Sequence, residues 1–482
     1  MADRPHVVIV VPRGEVVRNF LYSRTLPLLA RDARVTVLSV IHDARFTDTF
    51  REHCERILPL SPEEERRSVR IVRQLLEYAH ERAMWSSAAK THWRKRDVRQ
   101  HRAVDRTKWL IKRTLARASA RPAGLAFLGA LERRLSLAEP RIEKYRDLWR
   151  ELRPDLVFNG SHIHGPAALL PMLAGCDLGI PTAAFIFSWD NLTSRGRILI
   201  PYDHFIVWND SMREQLLGLY PGISRAQTTV TGTPQFDYHF DSRYFWPREE
   251  FCARVGADPR RPIIVYTTGM VHYMPEEPRI VAGIARALRG MPDLGPPQLL
   301  VRVYPKDPTG RFEPLKRELD DVLFPDVPWE RQWLTPHVDD LPLLTNTLRH
   351  AAVGINVAST VSLELAMLGR PVINIAYNPP RVDISPVDYA EYYDFDHYRP
   401  VVASGAVQLA RDEDECISLI RHALRSPERF AWERREFVRA FFGPYLDGKA
   451  GERVARCLIE CAGKRRSERP NGIEDTGVTP PT

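Results

Sequence analysis

The stretch Ala352–Ile375, AVGINVASTVSLELAMLGRPVINI, decides how this chain is read. Ala352–Val357 is an apolar run of buried-strand length. Ser359 and Thr360 follow it with helix-capping hydroxyls. From Val361 to Leu368 apolar residues recur at helical spacing, Gly369 suits a left-handed C-terminal cap, and Pro371 forbids continuation. Val372–Ile375 is the next buried run. The pattern is half of a parallel α/β unit whose polar cluster lies at the carboxyl end of a strand, where open α/β sheets bind ligands. The free N–H groups of the following helix suit a phosphate, with two hydroxyls beside them. Glu364 stands four residues beyond Thr360, one too far for a capping box with it, so its carboxylate is expected to be free for the vicinal hydroxyls of a ribose. The plainer reading is also open: an acid in a first helical turn is favoured by the dipole alone.

A chain of 482 residues exceeds one core and suits two domains of roughly 150–200 residues plus extras. With 44% hydrophobic and 27% charged residues it has the composition of a soluble globular protein. The six cysteines are scattered without a CxxC pair or zinc spacing. No disulfide framework or structural metal is expected, and a reducing cytoplasm is. No run approaches the roughly 18 apolar residues that cross a bilayer. The apolar run Val7–Val11 reads as a strand and not as a signal peptide. The net charge of +8 is local. Between Arg82 and Arg121 thirteen Lys and Arg face only Asp97 and Asp105, so the rest of the chain is slightly acidic. The body is therefore not expected to bind nucleic acid.

His6–Val11, a loop at Pro12-Arg13-Gly14-Glu15, a helical pattern over Asn19–Leu29 and the strand Arg34–Val40 open a Rossmann-like domain. No GxGxxG is present, so a dinucleotide cofactor is unsupported. Residues 61–150 break the α/β rhythm and predict two to four helices, basic and carrying Trp85, Trp93, Trp109 and Trp149. A basic helix with Trp suits an anionic membrane surface, and a solvated or oligomer-forming hairpin fits equally. The sheet resumes at 154–158, followed by the polar loop 159–165, and again at Thr182–Phe187, followed by Ser188-Trp189-Asp190-Asn191. Both loops follow strands and open on one sheet edge, which makes His162, His164 and Asp190 candidates for a general base. As turn and cap formers, each has a structural reading too. In the second half, the strand Pro262–Thr267 ends in Thr268-Gly269, and the strand Gln298–Tyr304 carries Arg302 and leads to Lys306. These two cations suit a diphosphate, or simply a solvated strand end. Trp333–His337 then reads as strand and loop. Tyr377–Pro400 lacks periodicity and suits a lid or acceptor wall.

The sequence Ser/Thr–helix–Glu–LGRP–VIN resembles the donor-nucleotide motif of GT-B glycosyltransferases. It is also similar to that of the CDP-glycerol glycerophosphotransferases and the UDP-N-acetylglucosamine 2-epimerases, which share the two-Rossmann architecture. The resemblance implies an α/β GT-B fold with two Rossmann-like domains facing a cleft. The N-terminal acceptor domain would span 1–235, with the helical insertion at 61–150, and an interdomain linker 236–260. The C-terminal donor domain would span 261–445, the closing helix 446–462 (from DGKAGERVA) and a disordered tail 463–482. It implies donor contacts from Ser359 and Thr360 (diphosphate), Glu364 (ribose), Thr268, Gly269, Arg302 and Lys306 (leaving group) and the loop of His337 (base). Arg13, Gly14 and Glu15 would face the acceptor. Tyr304 stands where relatives carry His, and Gln235 where CDP-glycerol transferases tend to have Arg. The implied activity is metal-independent sugar transfer from a nucleotide sugar to a surface-polysaccharide or lipid-linked acceptor. UDP leads as the donor base, no cofactor is expected, and the basic arm would rest on the inner face of the membrane. The alternatives are a CDP-glycerol-type polyol-phosphate transfer and a non-catalytic nucleotide-binding scaffold.

Overall fold

The computed structural model describes residues 4–61, 64–98, 102–163, 166–291, 294–379 and 388–468. The first lobe is built on seven strands: β1 His6–Val11, β2 Arg34–Ser39, β3 Arg56–Pro59, β4 Leu156–Asn159, β5 Thr182–Phe185, β6 His204–Val207 and β7 Thr228–Val230. They pair in the order β3-β2-β1-β4-β5-β6-β7, every neighbour parallel. Central β1 is buried along its length, with Ile9 opposite Val37 on one side and Phe158 on the other. That is why it reads as unbroken aliphatic sequence and not as an alternating one.

The second lobe repeats the plan. Its strands are β8 Ile263–Thr267, β9 Gln298–Arg302, β10 Val322–Leu323, β11 Trp329–Glu330, β12 Thr335–Pro336, β13 Val353–Asn356, β14 Val372–Ile375 and β15 Gln408–Ala410. The sheet runs β10-β9-β8-β13-β14-β15, all parallel, with β11 and β12 forming a separate antiparallel pair. Strand order reverses between β1 and β4 and between β8 and β13, which opens a crevice at the carboxyl edge of each sheet. Two Rossmann-like lobes with parallel sheets and a helical addition form a GT-B-type fold. Gly369 adopts the expected left-handed conformation (φ 70°) and closes the helix Val361–Met367.

Local readings shift in places. The helical pattern at Asn19–Leu29 is split into a π-helical turn, Val17–Leu21, and a helix, Thr25–Asp32. The addition carries four helices among its described residues: Arg67–Met84, Ser87–Val98, Ala103–Ser119 and Pro122–Leu137. The next helix, Glu143–Leu152, buries Tyr145 and Trp149 in the first lobe's own core. Trp93 and Trp109 face inward, edge to face at 5.6 Å, and their indole N–H groups donate to Glu81 (3.0 Å) and Asp97 (2.6 Å). Among the described residues, the large apolar side chains that the addition exposes by more than half include Val104, Leu110, Ile111 and Phe127 and no Trp.

The helix Ala450–Glu468 carries the chain back from the second lobe to the first. Its start is capped by Asp237, which accepts from the N–H groups of Ala450 (3.1 Å) and Gly451 (2.8 Å), and Val454 and Leu458 are fully buried. The tail reading falls on residues 469–482, outside the described residues; the six before them continue the helix.

Candidate functional site

A cavity of about 310 Å³ lies between the carboxyl edges of the two sheets. From the first lobe it is lined by Glu15 and Arg18 after β1, Phe187 and Ser188 after β5, and Gln235 after β7. The second lobe contributes Thr267 and Thr268 at the end of β8, Arg302 at the end of β9, and Ser359, Thr360 and Glu364 after β13. The turn that carries these last three is held by a buried polar network. Asn356 Oδ1 accepts from the Ser359 N–H (3.2 Å), the Ser362 hydroxyl (2.9 Å) and Asn374 Nδ2 (3.0 Å). The Tyr398 hydroxyl lies 2.8 Å from Asn374 Oδ1 and 2.9 Å from Ser362 Oγ. Ala358, at the bend, has φ 39° without being glycine, a conformation kept only where the surroundings over-determine it. Local spacing read Ser359 as a cap. The brace beneath it joins Asn356 to Asn374 on the next strand and to Tyr398 beyond it, contacts that the spacing around Ser359 does not reveal.

Glu364 is buried in this cavity but is not free as expected: its Oε2 lies 2.7 Å from Nε2 of His239, which arrives from the interlobe segment Pro234–Phe240. Thr360 Oγ1 accepts from the indole N–H of Trp189 (3.1 Å), so the Ser188–Asn191 loop of the first lobe reaches the turn of the second. Arg302 donates through Nη2 to Asp340 (2.6 Å), while its buried Nη1 has no partner among the described residues, and neither has the Thr267 hydroxyl. Thr268 uses its hydroxyl to accept from the Tyr304 N–H (2.8 Å).

Across from them, Glu15 is buried and in contact with both Arg13 and Lys306, the latter from the opposite lobe. Burial, and next the Arg13 guanidinium, push the Lys306 ammonium down from its ordinary value, against the pull of the Glu15 carboxylate it touches. Arg13 is likewise lowered, to about 10, by burial and by Arg195. At Gly14 the two lobes approach closely: an added Cβ would sit 2.5 Å from the Trp333 carbonyl oxygen and 2.6 Å from that of Leu334. That contact explains the glycine better than ligand approach does.

Several expected residues lie elsewhere. The Gly269 N–H donates to the Glu277 carboxylate (2.9 Å), and its α-carbon packs against Met274, so it is committed away from the cavity. His337, just after β12, is exposed and does not line the cavity. Asp190 is held by the Ser194 hydroxyl (2.9 Å) and by Asn191 Nδ2 (3.3 Å). Burial would raise its carboxyl, yet His397, Ser188 and Arg195 together keep it below its usual value. Asp190 lines neither this cavity nor the one described next. His162 is buried with Nδ1 3.2 Å from the Phe185 carbonyl, and burial lowers it to about 4. It lines a different cavity, of about 660 Å³, whose outer wall is the helical addition (Arg73, Glu77, His92, Lys95) and whose inner wall includes Arg195 and Arg197. His164 lies outside the described residues.

No family model and no curated protein matches this sequence. Among solved structures, the chain is similar to a UDP-N-acetylglucosamine 2-epimerase at 15% identity and TM-score 0.54, covering 99% of this chain and 100% of that one. The UDP-GlcNAc 2-epimerase from Neisseria meningitidis bound to UDP-GlcNAc gives 12% identity and TM-score 0.54, covering 95% and 100%. S. aureus MnaA, in a co-structure with UDP, gives 12% identity and TM-score 0.54, covering 98% and 100%. At such identities the likeness is one of fold, and it places the chain among two-lobed GT-B-type proteins.

Proposed function

We propose that this chain is a nucleotide-sugar glycosyltransferase that acts on a surface-polysaccharide or lipid-linked acceptor. The observation that carries the reading is the composition of the interlobe cavity. The Arg302 guanidinium, buried and with one N–H pair unpartnered among the described residues, stands on the second lobe with the Ser359 and Thr360 hydroxyls and the Glu364 carboxylate, and the Glu15 carboxylate stands on the first. An unsatisfied buried donor is costly unless a ligand meets it, and an oxyanion is the natural partner of Arg302. The donor's diphosphate would lie against Arg302, Ser359 and Thr360, with the ribose hydroxyls at the oxygen of Glu364 that His239 does not engage. Glu15 is then the acid–base group that faces the sugar. As the acceptor oxygen bonds to the anomeric carbon, Glu15 takes its proton, the bond from that carbon to the phosphate oxygen breaks, and Arg302 offsets the charge gained by the departing diphosphate. The 660 Å³ cavity beside it offers room for an acceptor, with Lys95, Arg195 and Arg197 suited to an anionic one.

Similar folds solved with UDP and UDP-GlcNAc support UDP as the donor base. They also favour a second reading, epimerisation without an acceptor. The test is a thermal-shift screen of UDP, GDP, CDP, TDP, their sugar derivatives, NAD and CDP-glycerol, with and without EDTA. A ligand at a hundredfold excess over Kd contributes about 2.7 kcal/mol, or roughly 5–10 °C in Tm for lobes of this size. Stabilisation by a nucleoside diphosphate irrespective of EDTA is expected. Absence of any shift overturns the proposal, and a shift confined to CDP-glycerol moves it to polyol-phosphate transfer. Conversion of a UDP-sugar to its 2-epimer in the absence of acceptor establishes the second reading.

No helix among the described residues is long and apolar enough to cross a membrane. The basic helix Ala103–Ser119 with outward Val104, Leu110 and Ile111 suits the surface of an anionic bilayer, where a lipid-linked acceptor would reside. Co-sedimentation with acidic liposomes that fades with salt is expected. Equal binding to neutral liposomes, or binding to neither, removes this part of the reading.

A further inference from the structure

His204 is the first residue of β6, and strands of this parallel sheet all run the same way, so it stands on the edge opposite the interlobe cleft. The returning helix Ala450–Glu468 passes that edge with Cys457 and Cys461 four residues apart, one above the other on a single helical face. Neither cysteine is in a disulfide. An imidazole nitrogen of His204 and the two Sγ atoms all lie within 4.8 Å of one another. Cys457 is buried, while half-buried His204 and Cys461 border a groove of about 800 Å³ that also reaches Asp203. The chain places three ligand atoms of zinc-type chemistry around one point, from segments too far apart in sequence for any spacing pattern to show them.

We propose that His204, Cys457 and Cys461 hold a thiophilic divalent metal ion, Zn²⁺ by the chemistry of the donors. Two thiolates and one imidazole suit zinc, and they match neither the all-oxygen shells of Mg²⁺ or Ca²⁺ nor a carboxylate-rich site. The fourth position faces the groove and is left to water or an added ligand. On binding, the two thiols give up their protons and the neutral imidazole donates a lone pair. Next to the site, His204 Nε2 lies 2.8 Å from the Thr229 hydroxyl on β7, a neighbour able to fix the ring's orientation. The ion would fasten the helix that returns from the second lobe to the rear edge of the first. The site stands apart from sugar transfer, and its test does not depend on that activity.

The experiment uses the full chain, produced with zinc present and purified under reducing conditions without chelator. Mass-spectrometric metal analysis should find about one zinc per chain, and Cys457→Ser/Cys461→Ser should carry only background metal. The chelator-stripped wild type, titrated with Co²⁺, should develop the near-ultraviolet absorption of thiolate-bound cobalt. Added Zn²⁺ should raise its Tm, and Cys461→Ser, altered at a half-buried position, should fold with that rise lost. If the double variant does not fold, the cobalt spectrum of the wild type decides alone. No zinc in the purified chain together with no thiolate–cobalt absorption overturns the proposal. So does a Cys457–Cys461 disulfide in chain purified without reductant, if the reduced form takes up no metal.

Discussion

On the second-lobe wall of the cleft, Ser359, Thr360 and Glu364 sit within one continuous turn-and-helix segment, beside Thr267 and Arg302 from neighbouring strand ends, and that segment is braced from below by Asn356, Asn374 and Tyr398. The first-lobe wall is assembled from three separate loops, which bring Glu15 and Arg18, Phe187 and Ser188, and Gln235 to the same cavity. Arg18 donates to Gln235 (2.8 Å) to tie two of those loops together. One wall is stiffened locally by hydrogen bonds that do not involve the other lobe, and the other depends on how separate loops converge. A wall of the first kind suits a constant ligand part, such as the proposed nucleotide. A wall of the second kind is where the variable part of a reaction is expected to be set.

This separation predicts that changes on the two walls have different kinetic signatures. Glu15→Gln keeps size and hydrogen bonding but cannot take a proton. It should lower kcat by about 10²–10⁴-fold, the usual contribution of a positioned base, while the nucleotide-induced rise in Tm stays within error of wild type. If kcat is unchanged, Glu15 merely neutralises Arg13 and Lys306. The second wall should answer the other way. Glu364→Ala removes the proposed ribose contact and should weaken nucleotide binding by about 1.5–3 kcal/mol. Because it also strips buried His239 of its partner, Glu364→Gln serves as the control that restores a hydrogen-bonding group of equal size. Nucleotide affinity unchanged in a folded Glu364→Ala variant would make the carboxylate a partner of His239 and nothing more.

The same contrast explains what could be read from sequence. The parallel strands were legible because both faces are buried, so each is an aliphatic run bounded by turn residues, as in Val7–Val11 and Val372–Ile375. The polar turn after β13 was legible because its groups are close in sequence. The pairings across the cleft were not. Nothing near Glu364 announces His239, nothing near Thr360 announces Trp189, and Lys306 gives no sign that it meets Glu15. Gly269 misled because a glycine after a strand reads as ligand approach, whereas here it makes room for Met274 and its N–H is taken by Glu277. The tryptophans of the addition misled for a related reason. Composition records that Trp93 and Trp109 lie in basic helices, and packing alone decides that they face inward.

The smallest expected effect probes the direct hydrogen bond between the Ser188–Asn191 loop and the turn that carries Thr360. Trp189 is buried against Tyr398 (5.5 Å) and His397 (5.0 Å), so its ring is fixed by packing, and its indole N–H is aimed at Thr360. Trp189→Phe keeps most of the ring contact and deletes the donor. One neutral hydrogen bond contributes about 0.5–1.5 kcal/mol, so a modest fall in Tm is expected. Thr360 keeps its hydroxyl, now able to turn fully toward a phosphate, so nucleotide affinity should change by less than about threefold, under 0.7 kcal/mol. Because Trp189 directly follows Ser188 of the first-lobe wall, the KM for the acceptor should rise more than the nucleotide Kd. A loss of nucleotide affinity as large as that of Glu364→Ala would show that the two walls act as one unit. The local bracing by Asn356, Asn374 and Tyr398 would then not suffice to hold the nucleotide turn in shape.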